Sequence, residues 1–285
     1  MKVISKIKAF LLRMYCTMRA IVKLWKDGGI TYANITPIEY GDILKGKSVL
    51  VTGGGSGIGL AIARKCLSLG ARVVITGRNE EKLILSAEAV GHSDLHTLAW
   101  DIADSTLLED KIQQVLELLD GRLDILVNNA GVLLGQPFFN TDVDVWDQTY
   151  SVNSKGPFFI SQAFSRVWMQ KKQEGKIINI ASTAGFIGAT DSYRMSKWDL
   201  VGLTRGLGQL LSPYGIIVNG IAPGRTATEM LGRSEFGNLH DTHQPLARMG
   251  TTVEIAEIAA FLMSDAANYI VGQTIVCDGG YTLKA

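Results

Sequence analysis

The sequence contains few cysteines, and their positions argue against two kinds of site. Only Cys16, Cys66 and Cys277 occur in 285 residues, so they cannot form a disulfide framework, and no pair has the spacing of metal ligands. The chain also lacks an HExxH motif and a cysteine cluster, which argues against a zinc hydrolase. We therefore expect a protein of a reducing, cytoplasmic compartment without a metal site.

Long apolar runs and a strong net charge are also missing. No run of about 18 apolar residues occurs, so the sequence predicts no membrane-spanning helix. The net charge is +1, but residues 1–27 contain seven Lys and Arg against the single acid Asp27, which gives +6 there and leaves −5 for the rest. An acidic main body argues against nucleic acid as a partner. The 47% hydrophobic content is sufficient for a substantial core.

Residues 1–45 are predicted to form an extension that begins with a basic amphipathic helix. Its apolar stripe has alternating steps of three and four residues and comprises Ile4, Ile7, Leu11, Met14, Met18, Ile21 and Trp25. Scattered charges and the lack of a small-residue cleavage site argue against a secretory signal. Three interpretations of residues 1–27 stay open: contact with an anionic membrane surface, packing on its own or a neighbouring subunit, and targeting.

From residue 46 onward, short β-branched runs alternate with helical patterns. The predicted strands are KSVLVT, RVVITG, LHTLAW, LDILVNNA, KIINIAS, GIIVNGIA and QTIVCD. Strands that alternate with helices in this way indicate βαβ units and a parallel sheet covered on both faces. Because no internal repeat or second-domain boundary is visible, we expect residues 46–285 to form one doubly wound α/β domain.

A glycine-rich turn, TGGGSGIG, follows the first predicted strand at residues 52–59. Glycines allow positive φ and let backbone amides approach a pyrophosphate, while the next helix directs its N-terminal amides and dipole toward the same anion. Loops collect glycine in general, but this turn ends the first strand of a βαβ unit. The turn therefore predicts a dinucleotide site.

An ordered set of motifs resembles the short-chain dehydrogenase/reductase family over residues 47–281. The matching segments are TGxxxGIG at residues 52–59, NNAG at 128–131, YxxxK at 193–197, PG at 223–224 and DGG at 278–280. The body most resembles the 3-oxoacyl-acyl-carrier-protein reductase-like branch, which grades into sugar-alcohol and steroid dehydrogenases. The resemblance implies a Rossmann-type sheet of about seven parallel strands, a nicotinamide cofactor and a homodimer or homotetramer.

The YxxxK pair is the centre of the predicted chemistry. Tyr193 and Lys197 are four residues apart, so they share one helix face. A free tyrosine has a pKa of about 10, and we expect the ammonium and a positive nicotinamide to lower the pKa of Tyr193 so that it can exchange a proton with a ketone or alcohol. The resemblance implies that Ser182 hydrogen-bonds the substrate oxygen. It also implies that Asn153 supports a chain of water molecules that leads to Lys197.

One spacing departs from the family pattern. Tyr193 follows Ser182 by eleven positions, about two fewer than in many family members, which predicts a short loop beside the substrate cleft. Thr183 is the alternative if Ser182 is misplaced. No GxSxG motif surrounds Ser182, so a serine hydrolase is not indicated.

The end of the second strand predicts the choice of cofactor. An acid there bonds a ribose 2′-OH, whereas this chain has Gly77 followed by Arg78, whose guanidinium can bind a 2′-phosphate. NADP(H) is therefore expected, with NAD(H) as the alternative. The predicted cofactor-binding residues are Gly53, Gly55, Ser56, Gly57, Ile58, Gly59, Arg78, Asp101, Ile102, Asn129, Ala130, Gly131, Tyr193, Lys197, Pro223, Gly224, Thr226 and Thr228.

The segment at residues 226–250 is predicted to form a mobile lid over the substrate. His240 and His243 are interpreted as solvated lid residues rather than as a metal pair. Apolar candidates for the substrate cleft are Leu133, Leu134, Phe138, Phe186, Ile187 and Met230.

These patterns predict an NADP(H)-dependent oxidoreductase that reduces an oxoacyl group or another ketone. A sugar or steroid alcohol dehydrogenase of the same family stays open as an alternative. So do a non-catalytic protein that senses NADP(H) and a scaffold at the membrane surface, which would be associated with the membrane through residues 1–27.

Overall fold

The computed structural model describes residues 2–33, 38 and 40–283. Met1, residues 34–37 and Glu39 of the predicted extension, and Lys284 and Ala285 at the other end, lie outside the described residues. The side chains of Ile4 and Ile7, which belong to the predicted apolar stripe, lie outside them as well.

The seven predicted strands are all present. They are β1 (Ser48–Thr52), β2 (Arg72–Gly77), β3 (Leu95–Ala99), β4 (Ile125–Asn128), β5 (Gly175–Ile180), β6 (Ile216–Pro223) and β7 (Thr274–Cys277). Adjacent strands pair in parallel in the order β3-β2-β1-β4-β5-β6-β7. The predicted doubly wound Rossmann-type sheet is thereby confirmed.

Helices connect the strands and cover both faces of the sheet. Those in the described part of the chain are α1 (Lys2–Asp27), α2 (Gly57–Ser68), α3 (Glu80–Val90), α4 (Leu108–Leu118), α5 (Val143–Tyr150), α6 (Gly156–Lys171), α7 (Ser192–Leu211) and α8 (Thr252–Met263). A short π-helical segment, Ser151–Lys155, joins α5 to α6. None of the helices that the structure describes combines the length and apolar character needed to cross a bilayer.

The core lies in two layers, one on each face of the sheet. Val49 and Val51 of β1 pack with Ile62 of α2 on one face, whereas Leu50 packs with Phe164 of α6 on the other. Successive side chains of a strand alternate between faces, and all three of these strand residues are fully buried. This explains why the strands read as continuous apolar runs rather than as alternating patterns.

The sheet order positions the functional cleft. The chain moves outward from β1 through β2 to β3 and then returns to the other side of β1 to form β4. Loops that follow β1 and β4 therefore leave in opposite directions and open a crevice at the carboxyl ends of these strands.

The predicted extension contacts the body at more than one point. Leu44, which precedes the predicted boundary at residue 46, is buried in the core, and its amide donates to Leu69 O at 2.9 Å. Earlier in the chain, Leu239 N donates to Thr31 O at 2.9 Å, which joins the segment after α1 to the predicted lid. The division into residues 1–45 and 46–285 stays a prediction.

Candidate active site

A cleft of about 320 Å³ lies at the carboxyl ends of β1, β2, β4, β5 and β6. Its lining includes the following predicted site residues: Gly53, Ser56, Gly57, Ile58, Arg78, Asp101, Ile102, Asn129, Ala130, Gly131, Ser182, Tyr193, Lys197, Pro223, Gly224, Thr226 and Thr228. Gly55, Gly59 and Asn153 are not part of the lining. The sequence therefore predicts most of this surface, although its residues come from distant parts of the chain.

The glycine-rich turn is shaped by close approach of the backbone. Gly53 has a φ of 65°, and a Cβ there would lie 2.7 Å from the Cα of Ala130. A Cβ at Gly54 would lie 2.5 Å from Ile75 Cγ2. Side chains at these positions would push the turn away from its neighbours, so the absence of Cβ atoms is what allows the cradle to form.

The start of α2 provides amides for an anion. The helix begins at Gly57, and the Ser56 side chain makes no capping hydrogen bond. The first N–H groups of a helix have no partner within it, and the helix dipole makes that end positive. Ser56, Gly57 and Ile58 all line the cleft, so this end of α2 fits a phosphate group.

Gly55 and Gly59 support the cradle from behind. The carbonyl oxygen of Gly55 accepts a hydrogen bond of 2.8 Å from Ser86 Oγ. A Cβ at Gly59 would lie 2.4 Å from Asn129 Nδ2 and equally close to Gly53 O. The role of Gly59 in this fold is to let α2 pack against the loop after β4.

Asn129 locks the glycine-rich turn to the loop after β4. Its Nδ2 donates to Thr52 O at 2.9 Å and to Gly53 O at 3.0 Å. The amides of Asn129 and Ala130 both donate to Thr52 Oγ1 at 3.1 Å. Asn129 was predicted to lie beside the cofactor, and it does line the cleft, but its side-chain amide is used to hold the turn.

The end of β2 presents an exposed arginine beside the cleft. Gly77 and Arg78 both line it, and the Asn79 side chain begins α3 by accepting from Lys82 N at 2.8 Å. Arg78 has no ion-pair partner among the residues that the structure describes. Asp101 and Ile102 follow β3. The Asp101 carboxylate accepts a hydrogen bond from Ala103 N at 3.1 Å, and Ile102 is buried.

Three of the four predicted catalytic side chains, Ser182, Tyr193 and Lys197, line the cleft despite the short spacing. Ser182 lies two residues after the end of β5 and precedes the single turn Thr183–Phe186, and five further residues lead to α7. The hydroxyl of Ser182 faces the phenol of Tyr193 and acts to lower its pKa. Thr183, the alternative to Ser182, is buried and does not line the cleft. The shorter loop is therefore compatible with Ser182 beside Tyr193.

Lys197 is buried below Tyr193. Only 5% of the residue is exposed, its Nζ donates to Ile180 O at 3.1 Å, and Nζ lies 5.8 Å from the centroid of the Tyr193 ring. Burial lowers the pKa of Lys197 to about 8, because desolvation disfavours the ammonium. At neutral pH the group is still mainly protonated, so it places a positive charge next to the phenol.

The protein's own groups raise the pKa of Tyr193. Burial is the main cause, the hydrogen bond from Ser182 opposes it, and the carboxylate of Asp191 adds to the increase. The sequence predicted a pKa lowered by Lys197 and a nicotinamide ring. Desolvation, which cannot be read from the spacing of the motif, has the larger effect, so the phenol is neutral and able to donate a proton at neutral pH.

Asn153 lies behind the cleft in the π-helical segment. Its Oδ1 accepts from Val132 N at 2.8 Å, and its Nδ2 donates to Val132 O at 3.0 Å and to Ser196 Oγ at 3.1 Å. A Cβ on Gly131 would lie 3.4 Å from Asn153 Oδ1 and 3.6 Å from Lys197 Nζ. Asn153 is therefore placed to fix the backbone beside the lysine.

A second buried polar network was missed by the sequence analysis. Asn128 Nδ2 donates to Ser161 Oγ and to Asn179 Oδ1, both at 2.9 Å, and Asn179 Nδ2 donates to Thr204 Oγ1 at 2.9 Å. These residues join β4 and β5 to α6 and α7 directly below the site. The first Asn of NNAG was a possible signal, but its partners are far away in sequence.

The predicted lid is fastened at several points. Thr226 pairs with Gly250, Arg225 Nε lies 2.6 Å from the buried carboxylate of Asp241, and Lys82 Nζ lies 2.6 Å from Glu229 Oε2. The first contact joins the two ends of the segment to each other, the second ties its middle to the residue before it, and the third ties it to α3. The mobility expected of a lid stays a prediction.

The other residues predicted near the substrate are divided between the cleft and the surface. Leu133 and Met230 line the cleft, whereas Phe138 and Phe186 are exposed outside it. His240 was interpreted as solvated, but it is half-buried, and its Nδ1 lies 3.1 Å from Thr31 Oγ1. In the described part of the chain no three metal-ligating side chains cluster.

Known proteins are similar to this chain in sequence and fold. The model of a family described as Enoyl-(Acyl carrier protein) reductase matches residues 53–282. A 3-oxoacyl-[acyl-carrier-protein] reductase of Aquifex aeolicus is 35% identical over 244 residues, which cover 83% of this chain and 98% of the relative. A 3beta-hydroxysteroid dehydrogenase of Eggerthella lenta is 34% identical over 255 residues, which cover 86% and 98%.

A solved structure agrees with these sequence matches. The 3-ketoacyl-(acyl-carrier-protein) reductase of Brucella melitensis, crystallised with NADH, superposes with a TM-score of 0.76 at 30% identity and covers 84% of this chain and 99% of its own. The family match spans most of the chain and contains the cleft and its lining from Gly53 onward. The chain therefore belongs to the short-chain dehydrogenase/reductase family, whose members are oxidoreductases that act on carbonyl and alcohol groups.

Proposed function

We propose that the protein is an NADP(H)-dependent oxidoreductase that interconverts a carbonyl and a secondary alcohol, with Tyr193 as the acid/base. One observation carries the proposal: the hydroxyl of Ser182, the phenol of Tyr193 and the buried ammonium of Lys197 line the same cleft as the glycine-rich turn. A protein that only sensed the cofactor would have no need of a neutral phenol and a hydroxyl beside it.

The residues of the cradle fit a dinucleotide. The Cβ-free surface at Gly53 and the start of α2 would hold the pyrophosphate, and Asp101 and Ile102 would border the adenine. Thr226 and Thr228, with Pro223 and Gly224, line the same cleft and are proposed to hold the nicotinamide carboxamide. A bound nicotinamide supplies the hydride in reduction and accepts it in oxidation.

Tyr193 is proposed to be the proton donor, and three other side chains assist it. In reduction Tyr193 donates its phenolic proton to the carbonyl oxygen while Ser182 hydrogen-bonds the same oxygen, and the product is the alcohol. Lys197 stabilises the phenolate that Tyr193 becomes, because an ammonium favours the charged form of a nearby phenol. Asn153 acts through Val132 and Ser196 by fixing the wall next to Lys197.

Arg78 supports NADP(H) rather than NAD(H). The position that would carry an acid is Gly77, and the exposed guanidinium of Arg78 can give two donors to a 2′-phosphate. Replacing Arg78 with Ala should raise the KM for NADPH by about tenfold or more and leave the KM for NADH within about twofold. The exposed Arg64 on α2 provides the matched control, Arg64→Ala. Equal KM values for NADPH in Arg78→Ala and wild type would remove this assignment.

The substrate is proposed to be an oxoacyl group or another ketone, and reduction the working direction. The apolar side chains of Leu133 and Met230 at the cleft favour a substrate with an apolar part. The relatives with acyl and steroid names act on such molecules, and a sugar alcohol is the more polar alternative. We also propose a cytoplasmic homodimer or homotetramer that takes a small-molecule substrate and does not bind nucleic acid.

The test is the loss of NADPH absorbance with a panel of ketones. An acyl thioester, a keto-sugar and a keto-steroid would each be offered with NADPH and with NADH. We expect turnover of the acyl thioester or the steroid, with NADPH preferred. Binding of NADPH without turnover of any ketone would support the alternative of a cofactor sensor and contradict the proposed function.

A further inference from the structure

Helix α1 has a continuous apolar face that its own body does not cover. With 3.6 residues per turn, eight large apolar side chains fall within an arc of about 140°. They are Phe10, Leu11, Met14, Tyr15, Met18, Ile21, Val22 and Trp25. All are exposed, from 47% for Val22 to 83% for Trp25. A face of this size in contact with water is costly unless it meets another surface.

Outside this arc the helix carries its basic residues together with two exposed apolar ones, Leu12 and Leu24. Lys8, Arg13, Arg19, Lys23 and Lys26 lie outside the apolar arc, and no acidic residue occurs between residues 8 and 26. Lysine and arginine side chains that flank an apolar face can reach anionic headgroups while the face enters the boundary between headgroups and acyl chains. The charge of the rest of the chain is negative, so the positive charge is concentrated on this helix.

A second copy of the helix is a poor partner for the same face. A pair of helices that associate through an apolar seam is normally stabilised by opposite charges on both sides of the seam. Here Lys8, Arg19, Lys23 and Lys26 follow one flank and Arg13 lies on the other, and no acid occurs on either flank between residues 8 and 26. Pairing two such helices would bring like charges together, whereas an anionic surface would neutralise them.

We propose that α1 binds an anionic lipid surface, lying in its plane with the apolar face inserted. The end of α1 is attached to the body next to the lid, because Asn238 Nδ2 donates to Gly29 O and Thr31 N donates to Asn238 Oδ1, both at 2.9 Å. The helix therefore holds the lid side of the cleft close to the lipid surface. This role is independent of the chemistry assigned to Tyr193.

Vesicle co-sedimentation of the full chain tests the proposal. Phosphatidylcholine vesicles with about 30% phosphatidylglycerol should bind the protein at least about tenfold more tightly than phosphatidylcholine alone. Changing both Met18→Gln and Ile21→Gln removes apolar area and should weaken binding to the anionic vesicles about tenfold or more. The double variant Lys23→Gln and Lys26→Gln should weaken it similarly and reduce its dependence on salt.

The matched control changes two residues outside the apolar arc. Cys16→Gln together with Ala20→Gln leaves the apolar face and the charge intact, so its binding should stay within about twofold of wild type. Loss of binding in this control as well would assign the effect to helix stability and overturn the proposal. An absence of vesicle binding by the wild-type protein would also overturn the proposal. So would a wild-type oligomer that dissociates in the Met18→Gln/Ile21→Gln variant, because that result would assign the apolar face to a second copy of the chain.

Discussion

At the scale of single residues, Lys197 combines a functional charge with an unfavourable environment. Its ammonium is buried, with the carbonyl oxygen of Ile180 as hydrogen-bond acceptor, and desolvation lowers its pKa from 10.5 to about 8. Below pH 8 both the folded and the unfolded chain carry this proton. Between about pH 8 and 10.5 the unfolded chain binds it and the folded chain does not, so stability rises with pH in this window.

Lys197→Met should abolish this pH dependence. The wild-type free energy of unfolding, measured against that of Lys197→Met, should rise by up to about 1.4 kcal/mol per pH unit above pH 8. Urea unfolding of both proteins at pH 7, 8.5 and 9.5 gives the difference directly. A difference that stays constant or falls with pH would show that the lysine is not desolvated in the folded state.

Gly53 combines a positive φ with a close backbone neighbour in the cradle. Ala at this position needs a φ that non-glycine residues rarely adopt, and its Cβ would meet the backbone of Ala130. Gly53→Ala should lower the free energy of unfolding by roughly 1–3 kcal/mol and weaken NADPH binding about tenfold or more. Fluorescence titration with NADPH measures the second effect.

Gly188→Ala is the control for that variant. Gly188 is exposed and has no positive φ, and a methyl group added at its Cα would have no other atom within 4 Å. Its replacement should leave NADPH binding unchanged. Equal affinities of the two variants would mean that the turn at Gly53 does not form the cofactor cradle.

At the scale of elements, the segment after α1 supports the predicted lid. Asn238 joins the two through two bonds, because it donates to Gly29 O and accepts from Thr31 N, and it accepts a third bond from His240 N within the lid. Asn238→Ala removes all three, so the lid should close less often over the substrate. We expect the KM for the ketone to rise several-fold with kcat within about twofold, measured by steady-state kinetics.

A surface asparagine outside the lid provides the comparison. Asn268 is exposed, and its side chain contacts only Asp265 among the described residues. Asn268→Ala should match wild type in both constants. If Asn238→Ala also matches wild type, the contact between the extension and residues 238–240 has no part in substrate binding.

The elements also show which parts of the site the sequence could predict. All seven strands were visible as β-branched runs, because a parallel sheet buried on both faces needs apolar residues at every position. The order of the strands does not follow from such runs. It came from the resemblance to a family, and so did the meeting of Ser182 with Tyr193 and Lys197.

Other properties of the site depend on contacts that no local pattern contains. The raised pKa of Tyr193 and the lowered pKa of Lys197 both come from burial. The hydrogen bonds of Asn129 to the glycine-rich turn and the attachment of Asn238 to Gly29 join residues about 76 and 209 positions apart. Sequence spacing predicts neighbours on one helix, but it cannot predict these.

At the scale of the whole molecule, the charge and the fold divide the chain into two kinds of surface. The acidic body contains the cleft at the carboxyl ends of the strands, and the basic helix α1 carries an exposed apolar face. The alignments span 98% of the length of each relative and about 85% of this chain. The body of the chain therefore accounts for what is shared with these relatives. The chemistry therefore belongs to the body, and α1 is an additional surface of this chain.

The measurement that tests the central claim most directly is the turnover of a ketone by Tyr193→Phe, with Tyr214→Phe as control. Phe keeps the ring and removes the phenolic hydroxyl group, and Tyr214 is exposed on the surface. We predict that Tyr193→Phe binds NADPH like wild type but loses kcat by about 10²–10⁴-fold, whereas Tyr214→Phe is unchanged. A Tyr193→Phe protein that retains wild-type kcat within a few-fold would contradict the assignment of Tyr193 as the proton donor.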